Sequence, residues 1–384
     1  MKINYIFLCL CILVQGCSKV DDYVLGPDNT PKPKPLKPVT SSMKVANNWS
    51  VPVGKPIKTK DYLKLKPVVR SNTIYTADSS GLIEAVSKVN GKAKWTTQLS
   101  KAITSGPTVK DGLIAVGTNA STLVLLNEKD GKQLWETKVS SEILSPPAIG
   151  HKRVIAKTID GKVFAFDAAT GKQLWTAEHG APSLSLKASS SPVILGNLVL
   201  IGFSDGKMDA LEIETGHVVW QRSIAYASGA SDIERLVDID SDPIVKDNIA
   251  YIASYQGYIG ALSLSDGQFI WRKAGSVYKN MLLTNKSLYV TDSNDVLWSL
   301  DRRTGTINWK QTAFKARGIT EPVLLGNNIV VGDKTGYLHI ISTQTGEVLA
   351  RSQLASGVTV SPSVAGKNVY VLTDNGMLNN LSVS

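Results

Sequence analysis

One apolar, β-rich run returns eight times along the chain: Thr73–Asp78, Leu113–Thr118, Arg153–Thr158, Leu198–Ser204, Ile249–Ser254, Ser287–Asp292, Ile329–Lys334 and Val369–Asp374. Valine, isoleucine, leucine and tyrosine dominate these runs, the composition of a strand buried between neighbours. Each is followed by a turn and a second run, as in Leu82–Lys88, Lys162–Ala168 and Tyr337–Thr343. Many of the turns hold glycine (Gly81, Gly161, Gly206, Gly257, Gly336, Gly376), often after Asp or Ser, which suits hairpin positions with positive φ.

A second phrase keeps the same beat: glycine, three residues, tryptophan. It occurs at Gly91–Trp95, Gly131–Trp135, Gly171–Trp175, Gly216–Trp220, Gly267–Trp271 and Gly305–Trp309, and a seventh copy, Gly346–Ala350, lacks the Trp. Successive glycines stand 40, 40, 45, 51, 38 and 41 residues apart, the length of four short strands and their turns and the size of a propeller blade. Eight runs predict eight blades, with seven as the alternative if one copy is irregular. The last copy stops at Ser384 without an outer strand, while Val45–Val51, which carries Trp49, has no preceding blade to join. The N-terminal strand is therefore expected to complete the last blade and hide its edge. The predicted fold is all-β: an eight-bladed propeller of four-stranded antiparallel blades over residues 45–384. Trp49, Trp95, Trp135, Trp175, Trp220, Trp271 and Trp309 are read as structural, because one large ring per blade is what packing between blades needs and not what a single binding site needs.

The segment before the propeller reads differently. Lys2 precedes an uncharged apolar stretch, Tyr5–Val14, too short for the roughly twenty residues that span a hydrocarbon core. Residues 1–16 are thus expected to be a secretion signal, ending at Val14-Gln15-Gly16-Cys17, which resembles a bacterial lipobox whose cysteine is acylated. Ser18 after that cysteine implies, by the lipoprotein pattern, sorting to the outer membrane. Residues 17–44 read as the lipidated Cys17 and a tether, since Asp28–Pro38 alternates proline with lysine and favours a solvated polyproline II spacer. All three cysteines (Cys9, Cys11, Cys17) fall in or beside the signal. A mature domain so processed has no thiol for disulfides, thiolate catalysis or a soft metal site.

The net charge of +10, or +9 without Lys2, is scattered with no Lys/Arg run. Nucleic acid is a poor partner for such a surface, and weak attraction to anionic headgroups or acidic proteins is all it supports. Zinc-protease, phosphate-loop and serine-hydrolase motifs are missing. The four histidines (His151, His179, His217, His339) stand at unrelated repeat positions and read as surface or turn residues. Asp167 and Asp301, ahead of the repeat glycines, read as turn formers. No catalytic residue, metal ligand or cofactor is assigned.

The breaks in the repeat point to binding. From the repeat Trp to the proline opening the next blade takes 12 residues for Trp95–Pro107 and Trp135–Pro147 and 13 for Trp309–Pro322, but 17 for Trp175–Pro192 and 23 for Trp220–Pro243. Two consecutive connections are therefore enlarged side by side, and long loops on a rigid scaffold are where binding resides. The first presents Leu184 and Leu186 between serines; the second alternates apolar residues with carboxylates through Asp238, Asp240 and Asp242. An acidic rim is expected there, rather than a calcium loop. The alternative for the leucines is that they fold back over the propeller.

The tryptophan-bearing blade resembles that of pyrroloquinoline-quinone dehydrogenases, and the whole chain from lipobox to Ser384 resembles the outer-membrane protein assembly factor BamB family. The enzyme branch needs a quinone pocket, acidic calcium ligands and usually adjacent cysteines, none of which can be placed here. The BamB resemblance implies a non-catalytic scaffold lipoprotein of the β-barrel assembly (BAM) complex, held at the outer membrane by its lipid with the propeller in the periplasm. It implies docking on the periplasmic POTRA domains of a BamA-like partner, with nascent outer-membrane proteins as a further partner. Carried over by motif, the docking positions are Leu184, Leu186, Lys187, Arg235, Asp238 and Asp240. Lys187 stands where the family pattern has Arg, keeping the charge without the bidentate fork. The rival readings are a quinoprotein-like enzyme or small-ligand-binding propeller, and a propeller that binds an envelope polymer through the same loops.

Overall fold

A computed structural model of the chain describes residues 31–57, 63–180, 182, 189–226, 230–231 and 236–384. The chain divides into Met1–Pro33 and Lys34–Ser384, and the propeller lies in the second unit. The expected signal, 1–16, and Cys17 lie outside the described residues.

Eight four-stranded antiparallel sheets make up the propeller. In the first, Val68–Arg70, Thr73–Ala77, Leu82–Ser87 and Ala93–Gln98 follow one another from the inner edge outward. The eight apolar runs seen in the sequence are the second strands of the blades. Each is apolar without interruption because both of its faces are covered: Ile74 packs against Tyr370 and Leu378 of blade 8, while its neighbours Tyr75 and Ala77 pack against Ile114 and Val116 of blade 2. The described core falls into eight such clusters, one between each pair of successive blades including the last and the first.

Ring closure is made by the two ends of the chain. Val45–Pro52 pairs antiparallel with Met377–Val383, from Val45 opposite Val383 to Pro52 opposite Met377. It is the outer strand of blade 8, as the orphan Trp49 segment led one to expect.

The Gly-x-x-x-Trp phrase works across blades. The Trp95 indole Nε1 donates to the Glu128 carbonyl of the next blade at 3.2 Å, and the same bond recurs from Trp135 to Ala168, Trp175 to Ile213, Trp220 to Leu264, Trp271 to Arg302 and Trp309 to Thr343 at 2.9–3.1 Å. The glycine of that next blade lies flat on the ring: a Cβ on Gly131 would stand 2.4 Å from the Trp95 ring, and one on Gly171 2.8 Å from that of Trp135. Both glycines also have positive φ, 69° and 71°, so shape and backbone demand glycine together. Gly91 covers Trp49 in the same way and joins blade 8 to blade 1. Blade 7 has Ala350 instead of Trp, and the structure gives the reason. The third and outer strands of blade 8 belong to opposite ends of the chain, so no turn glycine exists there to receive a ring. Asp167 and Asp301 are turn formers, each accepting two backbone N–H bonds and one Thr hydroxyl.

The expected tether stays largely exposed over residues 31–44, but its last part is fastened to the propeller. From Lys34 the chain is held to blades 6 and 7: Lys34 N–H donates to the Lys315 carbonyl (3.0 Å), Arg317 holds the Lys34 carbonyl (3.1 Å), Arg351 holds that of Lys37 (3.0 Å), and Ser42 N–H donates to the Leu349 carbonyl (2.9 Å). Two reciprocal bonds between Lys44 and Ser384 then lead into the closing strand.

Candidate interaction surface

Antiparallel order puts every connection from an outer strand to the next inner strand on one face of the ring, together with the turns between second and third strands. The two enlarged connections leave Gln173–Glu178 and Val218–Ser223 and re-enter at Val193–Leu195 and Ile244–Lys246. They flank blade 4 on that face. Leu184, Leu186, Lys187 and Arg235 lie outside the described residues; the stems on either side of them are described.

The first stem begins at His179, whose side chain is 4% exposed and turned inward, not a surface residue as the sequence suggested. Its ring stacks on Phe203 with centroids 3.8 Å apart and an interplanar angle of 6°. Its Nδ1 lies 2.7 Å from Asp209 and its Nε2 3.1 Å from Asp205. Burial opposes a charge on the ring, but hydrogen bonds to both carboxylates outweigh it and raise the pKa to about 9. Asp205 also resists charging through burial, and bonds from His179 and Lys207 bring it down to about 2. The imidazolium is thus fixed between two carboxylates at the root of the loop.

The second stem ends in the three alternating aspartates, and the expected acidic rim is corrected here. Asp238 and Asp240 are 2% and 0% exposed. Alternation does place them on one face, but that face points into the molecule. Ile239 between them fills the space a side chain at Gly202 would need, 2.3 Å from the Cβ position, and Ile239 N–H donates to the Phe203 carbonyl at 3.2 Å. Asp238's carbonyl receives Tyr255 N–H at 2.8 Å.

Two lysines balance these carboxylates. Lys157, from the second strand of blade 3, is buried and donates to the Gly202 carbonyl at 2.6 Å while facing the Phe203 ring at 5.5 Å. Burial lowers it to about 8 against the pull of Asp238 and Asp240. Burial likewise raises Asp240 to about 6, with Lys64 and Lys157 restraining the shift. Lys64 donates to the Asp240 carbonyl (2.8 Å) and to the Asp242 carboxylate (3.1 Å). No sequence signal pointed to Lys64 or Lys157, which are far from the aspartates along the chain.

Beside Asp242 a cavity of about 400 Å³ opens, lined among others by Lys64, Lys66, Lys279, Lys334, Asp242 and Glu321. This tests the quinoprotein reading. A calcium-assisted cofactor needs free carboxylates, but Lys64 already occupies Asp242, and Lys279 binds Asp295 at 2.8 Å. With cations outnumbering carboxylates, the donor set does not fit a hard divalent ion. Among the described residues no group of three or more His, Cys, Asp or Glu side chains is arranged to hold a metal.

The family model described as outer membrane protein assembly factor BamB matches residues 49–311 and 313–384. The chain is 68% identical over 384 residues to BamB of Legionella pneumophila, covering 100% of both. It is 32% identical over 375 residues to BamB of Escherichia coli K12, covering 95% of this chain and 94% of the relative. The crystal structure of BamB from Moraxella catarrhalis superposes with a TM-score of 0.80 at 26% identity, over 88% of this chain and 100% of that one. A europium-containing methanol dehydrogenase matches at a TM-score of 0.73 and 14% identity, over 88% of this chain and 93% of that one; that likeness is one of fold alone.

Proposed function

This chain belongs to the outer membrane protein assembly factor BamB family, and on that premise we propose that it serves outer-membrane protein assembly as a non-catalytic docking scaffold. Its role is that of an accessory factor of the BAM machinery, associated with the outer membrane. The finer reading is that Cys17 carries the lipid anchor, that the propeller stands in the periplasm, and that the two enlarged connections dock on the POTRA domains of a BamA-like partner. The observation that carries this is the pair of enlarged connections side by side around blade 4, of 14 and 20 residues, against 4 to 11 for the connections out of blades 1, 2, 5, 6 and 7 and 15 for the one from blade 8 into blade 1. In the docking reading Leu184 and Leu186 fill an apolar groove, with Lys187 and Arg235 beside them as charged contacts. Asp238 and Asp240 act from below, since both are buried.

The test is binding of the soluble mature domain, with Cys17→Ser, to the purified POTRA region of the same bacterium. A Leu184→Asp/Leu186→Asp variant is measured beside it. Saturable binding by the parent and a loss of about 30-fold or more in a folded variant is the expected result, the effect of removing a hot spot worth about 2 kcal/mol. A folded parent that does not bind at concentrations covering micromolar affinity overturns the docking reading.

A further inference from the structure

Both stems of the enlarged connections converge on one side chain, the last of the three alternating aspartates. Asp242 Oδ1 accepts the N–H of Ser191, at the end of the first stem, at 2.6 Å. The same oxygen accepts Lys64 Nζ at 3.1 Å, and Asp242 Oδ2 accepts Asn280 Nδ2 at 3.0 Å. Asp242's own N–H closes a second bond to Asn280 Oδ1 at 2.6 Å. One carboxylate thus ties together the connection between blades 3 and 4, the one between blades 4 and 5, and the one between blades 5 and 6.

Lys64 extends the tie across the ring. It lies in the connection leading into blade 1, beside Ser105 at the inner edge of blade 2, and it reaches the entry to blade 5, halfway round. Its side chain is 9% exposed, so the ammonium is held in poor contact with water and its pairing is stronger than at a surface. Besides Asp242 it binds the Asp240 carbonyl. A hydrogen-bonded charge pair of this kind fixes geometry, because breaking it leaves a charge without a partner.

We infer that Lys64 and Asp242 are positioning residues for the docking face: a strut across the axis that sets both stems in one register without itself touching the partner. This rests on the docking reading above. It also assigns Asp238 and Asp240 to the supporting layer, so that their influence on docking passes through the stems. A rim contact and a buried strut differ in what salt does to them. Loss of a rim charge slows association and changes the salt dependence of binding, whereas loss of a strut weakens the complex with the salt dependence kept.

The test uses the soluble mature domain as parent, with Lys64→Met, Asp242→Ala and the double variant. Near-ultraviolet circular dichroism from the blade tryptophans confirms that each is folded. Backbone amide exchange is followed at Ser191, Ile239 and residue 242, and POTRA affinity is measured at two salt concentrations. The expected result is exchange at Ser191 at least tenfold faster in both single variants. Affinity falls about tenfold with an unchanged salt slope, and the double variant is little worse than either single one, as for groups acting as one unit. Unchanged exchange and affinity in Lys64→Met overturns the inference, and so does an affinity loss with a shifted salt slope and parent-like exchange. If the parent itself fails to bind the POTRA region, the docking reading has failed. The exchange data then decide the strut alone: faster exchange supports it and parent-like exchange overturns it.

Discussion

Two histidines with buried side chains differ in charge, one neutral and one cationic, because of what faces their second nitrogen. His339 gives Nε2 to Asp333 at 2.9 Å, but its Nδ1 receives the Arg351 Nε–H at 3.2 Å. Nδ1 must therefore be an acceptor, the ring is neutral, and burial holds its pKa below the ordinary value. His179 meets carboxylates at both nitrogens and is held protonated up to about 9. The stability this lends is fully present below about 6.5 and is lost as the pH rises through 9, amounting to about 2 kcal/mol once the full shift, roughly 3.4 kcal/mol, is discounted for solvent screening. Melting curves between pH 6 and 9.5 should show the parent losing that advantage over His179→Gln; equal pH slopes for the two proteins would rule out the imidazolium. The Gly-to-Trp contact is testable at the same scale. Trp135→Ala should cost about 3–5 kcal/mol by opening a cavity. Gly171→Ala should cost about 1–3 kcal/mol, because a Cβ at positive φ also meets the Trp135 ring. In a denaturant-unfolding cycle the double variant should fall short of the sum, and strict additivity would separate the two residues.

At the scale of elements, legibility followed length and repetition. The second strands were plain in the sequence because burial on both faces leaves an unbroken apolar run, as in Ile249–Ala253. The inner strands were not: Val68–Arg70 and Ala148–Gly150 have three residues each, too few for a period to appear. The carboxylates at 238 and 240 were read as a rim because alternation tells which residues share a face but not where that face points. Their counter-charges sit on Lys64, in the connection into blade 1, and Lys157, in blade 3, where spacing carries no information. That the exposed tether is also fastened was hidden for a related reason. Its proline and lysine content matches a solvated spacer, yet its carbonyls are free acceptors, and Arg317 and Arg351 take them. Substituting Arg351→Gln should speed amide exchange around Lys37 and Ser42 by about tenfold, with global stability changed by no more than about 1 kcal/mol. Parent-like exchange would mean that the backbone bond from Ser42 to Leu349 holds the segment alone.

For the whole molecule, stability rests on eight like interfaces rather than on one centre or on crosslinks; the three cysteines all lie within residues 9–17. Each blade buries its two faces against different neighbours, so no blade has a complete core by itself. Repeat count and closure could be read from the sequence because every blade repeats the same problem and answers it with the same residues. The docking stems are the part that departs from the repeat, and their support had to be seen in three dimensions.

Closure by the two termini also sets an order in time. A ribosome makes Val45 first and its partner Val383 after 337 intervening residues. Until then the opening strand has no sheet to join, and the face of blade 1 that carries Ile74 and Val86 has nothing to cover it. Any set of blades that pairs before the last one is an open arc with a bare edge at each end. The last strand, Met377–Val383, turns that arc into a ring, and a chain cut short of it has lost far more than its tail.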